Sequence, residues 1–220
     1  MTNNKKFVPA LKFHCLTGFF DFLMSLTGLE EKLKDALLVQ ANIKNSDTVL
    51  DFGCGTGTLT IMAKKEFPEA NIHGIDIDSG ILKIAKNKVK NSGHEIFLKE
   101  YDGISLPYKD GAFDKVLSTL VFHHLIRERK IAILMEIYRI LKPGGELHIA
   151  DLGKGKSIFM KGISLFIRFF DGFSNTFDNV KGLLPLVIEE AGFNKVVDHG
   201  QIDTLVGSIS FYSAIKCVLP

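Results

Sequence analysis

The chain has 220 residues, room for one large domain or a domain with a small lid, and at 46% hydrophobic and 24% charged it can bury a full core, which argues against intrinsic disorder. A formal net charge of +2 with no long Lys/Arg block leaves no concentrated basic face, so nucleic acid is not expected as a partner. Three cysteines, Cys15, Cys54 and Cys217, stand far apart in no CxxC or Cys/His spacing; neither a zinc site nor a disulfide framework is expected, and a reducing, cytoplasmic setting fits.

The N-terminal stretch opens with Lys5 and Lys6, and Lys12, His14 and Asp21 interrupt the apolar run behind them. It therefore predicts neither a signal peptide nor a spanning helix. Five of the chain's 18 phenylalanines lie here, between Phe7 and Phe22. Residues 1–44 read as an N-terminal helical lid, and 45–220 as the main domain. From residue 47 short apolar runs alternate with helix-length segments. The runs are DTVLDFG (47–53), NIHGIDI (71–77), EIFLKEYD (95–102), FDKVLSTL (113–120) and GELHIADL (145–152), each short and apolar enough for a strand covered on both faces. A helix is predicted over 79–91 with Ser79 as its N-cap, and Lys83, Lys86, Lys88 and Lys90 on it read as a solvated face. Another is predicted over 127–142, where Ile131, Leu134, Tyr138 and Leu141 repeat at helical spacing before Pro143-Gly144-Gly145 stops it. A Phe-rich insertion follows at about 153–178, with six phenylalanines between Phe159 and Phe177. Two last strands, KVVDHGQI (195–202) and SISFYSAIKC (208–217), form an antiparallel hairpin at one edge. Alternating strand and helix predicts right-handed βαβ units in an α/β fold with a doubly wound, mostly parallel sheet.

The strongest chemical signal is VLDFGCGTG (49–57). A buried strand ends at Asp51-Phe52, and Gly53, Gly55 and Gly57 follow before a helix begins near Thr58. Glycine here lets the backbone turn tightly and approach a ligand, with helix N–H groups pointing at it. A tight turn without a ligand is the plain alternative. The dinucleotide pattern G-x-G-x-x-G is disfavoured, because the third glycine comes one residue early and Thr58 stands in its place; a nicotinamide-dependent oxidoreductase is disfavoured with it. Asp76 ends the second run, where a carboxylate can accept from both ribose hydroxyls, and Asp102-Gly103 ends the third. Asp51, Asp76 and Asp102 thus fall at the carboxyl edge of the sheet, where open α/β folds bind their ligands.

These residues resemble the class I S-adenosylmethionine-dependent methyltransferases, and most closely the branch with the ubiquinone/menaquinone C-methyltransferases. The likeness is carried by VLDFGCGTG, GIDID (74–78), LPYKDGAFDKVLS (106–118) and EIYRILKPGGELHIAD (136–151). It implies a seven-stranded Rossmann-like sheet with an antiparallel last strand. It also implies that Gly53, Cys54, Gly55, Thr56 and Gly57 hold the methionine part of S-adenosylmethionine, with Asp51 facing its amino group. Asp76 would take the ribose, Ile77 would lie against the adenine, Asp102 would accept from the adenine amino group beside Gly103, and Ser118 or Thr119 would line the methionine end. VFHHL (121–125) departs from the pattern of the quinone enzymes.

Methyl transfer needs placement more than chemistry from the protein: no metal, and a base only where the acceptor must lose a proton. His123 and His124, after the fourth run, are candidates for that base; packing beneath the cofactor is the alternative. His14, Phe159, Phe166 and Phe170 are candidates for an acceptor pocket roofed by the lid segments. Phe159, Ile163, Phe166 and Phe170 share one helical face, which suits an apolar, quinone- or lipid-like acceptor, a lid packed on the core, or contact with a membrane surface. A regulatory protein that binds the cofactor without turning it over is the alternative function.

Overall fold

The computed structural model describes residues 29–154, 177–204 and 207–218. His14, Phe159, Phe166 and Phe170 lie outside them, as do Cys15 and most of both Phe-rich segments. The elements run α1 (Leu29–Ala41), β1 (Thr48–Phe52), α2 (Thr58–Glu66), β2 (Asn71–Asp76), α3 (Ser79–Ser92), β3 (Phe97–Glu100) and β4 (Phe113–Thr119). After a 3-10 turn (Phe122–His124) come α4 (Arg127–Ile140), β5 (Leu141–Leu152), α5 (Phe177–Lys181), α6 (Leu184–Glu190), β6 (Asn194–Thr204) and β7 (Gly207–Ile215).

All seven strands join one sheet in the order β3-β2-β1-β4-β5-β7-β6. β1 to β5 pair in parallel, and β7 runs antiparallel between β5 and β6. The strand order reverses between β1 and β4, which opens a crevice at their carboxyl ends. Alternation along the central strands divides the core between the two faces, because successive side chains of a strand point opposite ways. Leu50, Val116, Leu147 and Ile149 pack with Ile133 and Ile137 of α4 and Leu184 of α6 on one face. Val49, Leu117 and Ala150 pack with Leu33 and Leu37 of α1 and Leu59 of α2 on the other. Helix α1 falls within the stretch 1–44 expected as a lid, yet its Leu33, Leu37, Leu38 and Ala41 are core residues.

Local chemistry explains the shifted boundaries. Asp78, not Ser79, caps α3: its Oδ1 accepts from the N–H groups of Gly80 (2.7 Å) and Ile81 (3.1 Å). Helix α4 stops at Ile140 because Leu141 already pairs with Phe113 of β4, and β5 then carries Pro143-Gly144-Gly145 as a bulge before pairing resumes at Glu146. The four lysines of α3 are exposed. Among the described residues no helix is long and apolar enough to cross a membrane, and no cluster of His, Cys, Asp and Glu could hold a metal ion.

Candidate cofactor and acceptor site

At the end of β1 the chain turns through Gly53, Gly55 and Gly57, at φ of 72°, 53° and 78°. This is the left-handed region that glycine enters without strain. The turn is anchored from below by N–H groups of Gly53 (2.8 Å) and Cys54 (3.0 Å), both donating to the carbonyl of Ile75. A Cβ at Gly53 would stand 2.3 Å from Val121, whereas one at Gly55 would meet nothing within 4 Å. The loop is therefore packed on one side and open on the other. Helix α2 starts at Gly57 with no side chain capping it, so its first-turn N–H groups are available to a ligand carboxylate. Thr56 and Thr58 are held by Lys88, whose Nζ donates to each hydroxyl at 3.1 Å.

Beneath the loop lies Asp51, 3% exposed. The Thr60 hydroxyl donates to its Oδ2 at 2.6 Å, and no cation among the described residues pairs with it. Burial pushes its carboxyl up to about 6, against the hydrogen bond from Thr60 and the more distant charge of Lys34. Burial also pushes the Cys54 thiol well up, so the cysteine in the loop is unreactive.

Asp76 ends β2, and its two oxygens divide their work. Oδ2 accepts from Gly55 N–H at 2.8 Å and Oδ1 from Asp78 N–H at 3.0 Å, which ties the glycine loop to the strand tip. Each oxygen keeps a lone pair for a further donor. Ile77 follows, half-buried, and Gly103 lies against it: a Cβ there would be 2.6 Å from Ile77 Cδ1. Asp102 is exposed, and its Oδ1 accepts from the N–H groups of Ile104 (2.8 Å) and Ser105 (3.0 Å), which hold its carboxyl below the usual range. The structure thus brings Asp51, the loop, Asp76, Ile77 and Gly103 together, and sets Asp102 at the rim.

At the end of β4 the hydroxyls of Ser118 and Thr119 are buried without a partner among the described residues. An unmet buried hydroxyl costs stability unless a ligand or water answers it. Leu120 then takes φ 57°, a strained conformation for a branched side chain, and turns the chain into the 3-10 turn. Val121 of this segment abuts Gly53, and the Phe122 ring lies 6.0 Å from that of Phe52. Val121 and Phe122 thus pack the start of this turn against the loop and β1, and His123 and His124 follow them in it.

Sequence reasoning missed what holds His123. Asp151 of β5 is fully buried and accepts from five donors. Oδ2 takes the N–H groups of Val121 (3.1 Å) and Phe122 (2.7 Å); Oδ1 takes Leu152 N–H (2.7 Å), Asn179 Nδ2 (3.2 Å) and His123 Nδ1 (2.8 Å). Burial alone would raise its carboxyl, but the His123 ring and the backbone donors hold it below the usual range. His124 stacks obliquely on His123, centroids 3.9 Å apart, and the His123 ring together with burial pushes it down to about 3. Asp178, beside Asn179, takes Arg127 (2.8 Å) and Lys130 (3.3 Å), which ties α5 to α4. One signal was available for Asp151: it ends the fifth apolar run much as Asp51 and Asp76 lie near the ends of theirs.

Residues 49–145 match a family model described as a methyltransferase domain. The chain is 34% identical over 156 residues to a demethylmenaquinone methyltransferase of Lactobacillus johnsonii, covering 69% of this chain and 63% of that one. A protein of the same name from Thermus thermophilus is 38% identical over 103 residues, 47% of this chain and 46% of that one. The chain thus spans less than two thirds of the length of these relatives. Among solved structures, phosphoethanolamine N-methyltransferase 2 of Haemonchus contortus superposes with a TM-score of 0.68 at 17% identity, over 85% of this chain and 53% of that one. An S-adenosylmethionine-dependent methyltransferase of Methanosarcina mazei gives 0.66 at 19% identity, over 83% and 98%. The [4+2]-cyclase SpnF gives 0.65 at 20%, over 86% and 81%.

Proposed function

We propose that this chain, whose residues 49–145 match the methyltransferase domain family and whose sheet has the class I methyltransferase fold, transfers a methyl group from S-adenosylmethionine to a small apolar acceptor with a quinol-like ring. The observation that carries the reading is Asp51, a carboxylate buried beside the glycine loop with donors from Thr60 alone and no cation among the described residues. A dinucleotide would set its pyrophosphate against that loop, and a buried negative group there would repel it. The amino-acid end of S-adenosylmethionine would instead bring an ammonium, the charge Asp51 lacks.

Gly53 to Gly57 and Asp51 would hold the methionine part, with Ser118 and Thr119 answering its polar atoms. Asp76 would take the ribose hydroxyls on its free lone pairs, with Ile77 and Gly103 against the adenine and Asp102 at its amino group. Bound there, the cofactor supplies a methyl group on a sulfonium that an electron-rich atom attacks in line. The protein's part is placement and exclusion of water; holding reactants in near-attack geometry supplies on the order of 7–11 kcal/mol in favourable cases.

The names of the Lactobacillus and Thermus relatives support a quinol acceptor, as do the Phe-rich segments, which we assign to its pocket: His14 in residues 1–44, and Phe159, Phe166 and Phe170 in the insertion. Two of the three cysteines, Cys54 and Cys217, are free thiols, in keeping with a reducing, cytoplasmic setting. The test is release of S-adenosylhomocysteine on incubation with S-adenosylmethionine and a reduced demethylmenaquinone of short prenyl chain. Release is expected. Because a cyclase shares this fold, cofactor binding without release from any acceptor would favour a protein that keeps the cofactor for another purpose.

A further inference from the structure

We infer that His123 is the base that takes a hydroxyl proton from the acceptor, and that Asp151 is the positioning residue that aims it. This rests on the methyltransferase reading above and adds to it the class of acceptor: a neutral molecule whose reacting hydroxyl must ionise.

The geometry selects one tautomer for the neutral His123 ring. Asp151 Oδ1, an acceptor, lies 2.8 Å from Nδ1, so Nδ1 carries a proton, and in the neutral ring Nε2 presents its lone pair. Among the described residues Nε2 has no hydrogen-bond partner, and the ring is 9% exposed. Asp151 is itself immobilised by backbone N–H groups on both oxygens, so the ring cannot follow a moving carboxylate. Asp151 also offsets the positive charge that His123 acquires, as the buried carboxylate does in a Ser-His-Asp triad. Other charged neighbours are few: His124 on the same turn, and Lys130 of α4 with Asp178 of α5 one step further off. His124 is the poorer base, since the charge that His123 carries once protonated, together with burial, holds it down to about 3.

Placement agrees with the role. Val121, two residues before His123 in the chain, packs on Gly53 of the loop assigned to the methionine end. Beside a ring only 9% exposed a neutral hydroxyl is desolvated more cheaply than an ammonium, and it needs a base before its electrons are available. The step balances. The acceptor O–H bond breaks and its proton forms an N–H bond at Nε2. The electron pair left on oxygen either forms the bond to the methyl carbon itself or pushes a ring C=C pair to do so, the ring carbon's proton then passing to the oxygen through water as the ring regains aromaticity; the carbon–sulfur pair returns to sulfur, giving a neutral thioether. The imidazolium returns its proton to water.

Two measurements test this. In the first, 15N NMR of histidine-labelled protein without ligand reads the tautomer directly. His123 is expected with Nδ1 protonated and Nε2 bare, and Asp151→Asn is expected to convert it to the opposite tautomer, because the new amide donates towards Nδ1. In the second, turnover of prenylated 1,4-naphthalenediols bearing ring substituents of graded electron demand is compared between the parent and His123→Ala. The loss in kcat is expected to be on the order of 10²–10⁴-fold for the least acidic diol, shrinking as the hydroxyl becomes more acidic, with S-adenosylmethionine affinity unchanged. An Nε2-protonated His123 in the parent, or a loss equal across the series, would overturn the proposal. So would a parent that binds S-adenosylmethionine and turns over none of the diols, whereas failure to bind S-adenosylmethionine at all removes the methyltransferase reading instead.

Discussion

Asp51 and Asp151 are both buried carboxylates at the carboxyl edge of the sheet, on β1 and β5, and they are solvated in opposite ways. Asp151 receives five donors, and its carboxyl is held low. Asp51 receives donors from Thr60 alone, its hydroxyl and its N–H, and its carboxyl is pushed up to about 6. A buried charge whose partners come from the fold is part of the scaffold. One short of partners among the described residues is where we propose that a ligand of opposite charge binds. On the proposed reading the acceptor side is preorganised around His123, while the cofactor side carries a deficit that binding would relieve.

Removing each carboxylate should therefore have opposite effects on stability. Asp151→Ala strands its donors and should destabilise the ligand-free protein by about 3–5 kcal/mol in chemical denaturation. Asp51→Asn keeps an acceptor for Thr60 and removes the unpaired charge. The rise from 3.8 to about 6 corresponds to roughly 3 kcal/mol at most, so this variant should melt higher than the parent at pH 7 while binding S-adenosylmethionine more weakly. The same shift sets the pH dependence. With its folded value raised, Asp51 opposes folding fully at pH 7, and that penalty fades as pH falls from about 6 towards 3.8. Equal destabilisation by both substitutions would break the contrast.

Asp76 lies between these extremes, half-buried with two backbone donors. Asp76→Ala should lower cofactor affinity at least about tenfold, since a charge-assisted hydrogen bond contributes roughly 1.5–3 kcal/mol. It should also loosen the glycine loop, visible as faster exchange of the Gly55 amide. The smallest effect is expected at Lys88, which is exposed and steadies the hydroxyls of Thr56 and Thr58. Lys88→Ala should change stability by about 0.5 kcal/mol or less and cofactor affinity less than Asp76→Ala does.

The contrast also explains what could be read before the fold was known. The glycine loop and Asp76 are legible because the groups proposed to meet a ligand there are local: main-chain N–H groups and a strand-end carboxylate joined across 21 residues. The same holds for the strands as buried elements, since alternation of Val49 with Leu50 and Val116 with Leu117 gives each strand two covered faces. His123 was legible only as a candidate, because its partner comes from β5 through the register that sets Thr119 beside Ala150. No spacing in the sequence encodes that pairing. Nor could it place Asp78 over Ser79 as the cap of α3, since both side chains suit the role and only the backbone at Asp78, φ −92° and ψ 106°, selects one.

Calorimetric titration with S-adenosylmethionine and with NAD, at pH 7 and at pH 5, tests the central claim most directly. Asp51 should be ionised and waiting for an ammonium at pH 7, and mostly protonated one pH unit below its value of about 6. S-adenosylmethionine should bind at pH 7 and roughly tenfold more weakly at pH 5, the loss should vanish in Asp51→Asn, and NAD should give no binding heat at either pH. Tight binding of NAD, or no binding of S-adenosylmethionine at pH 7, would contradict the account.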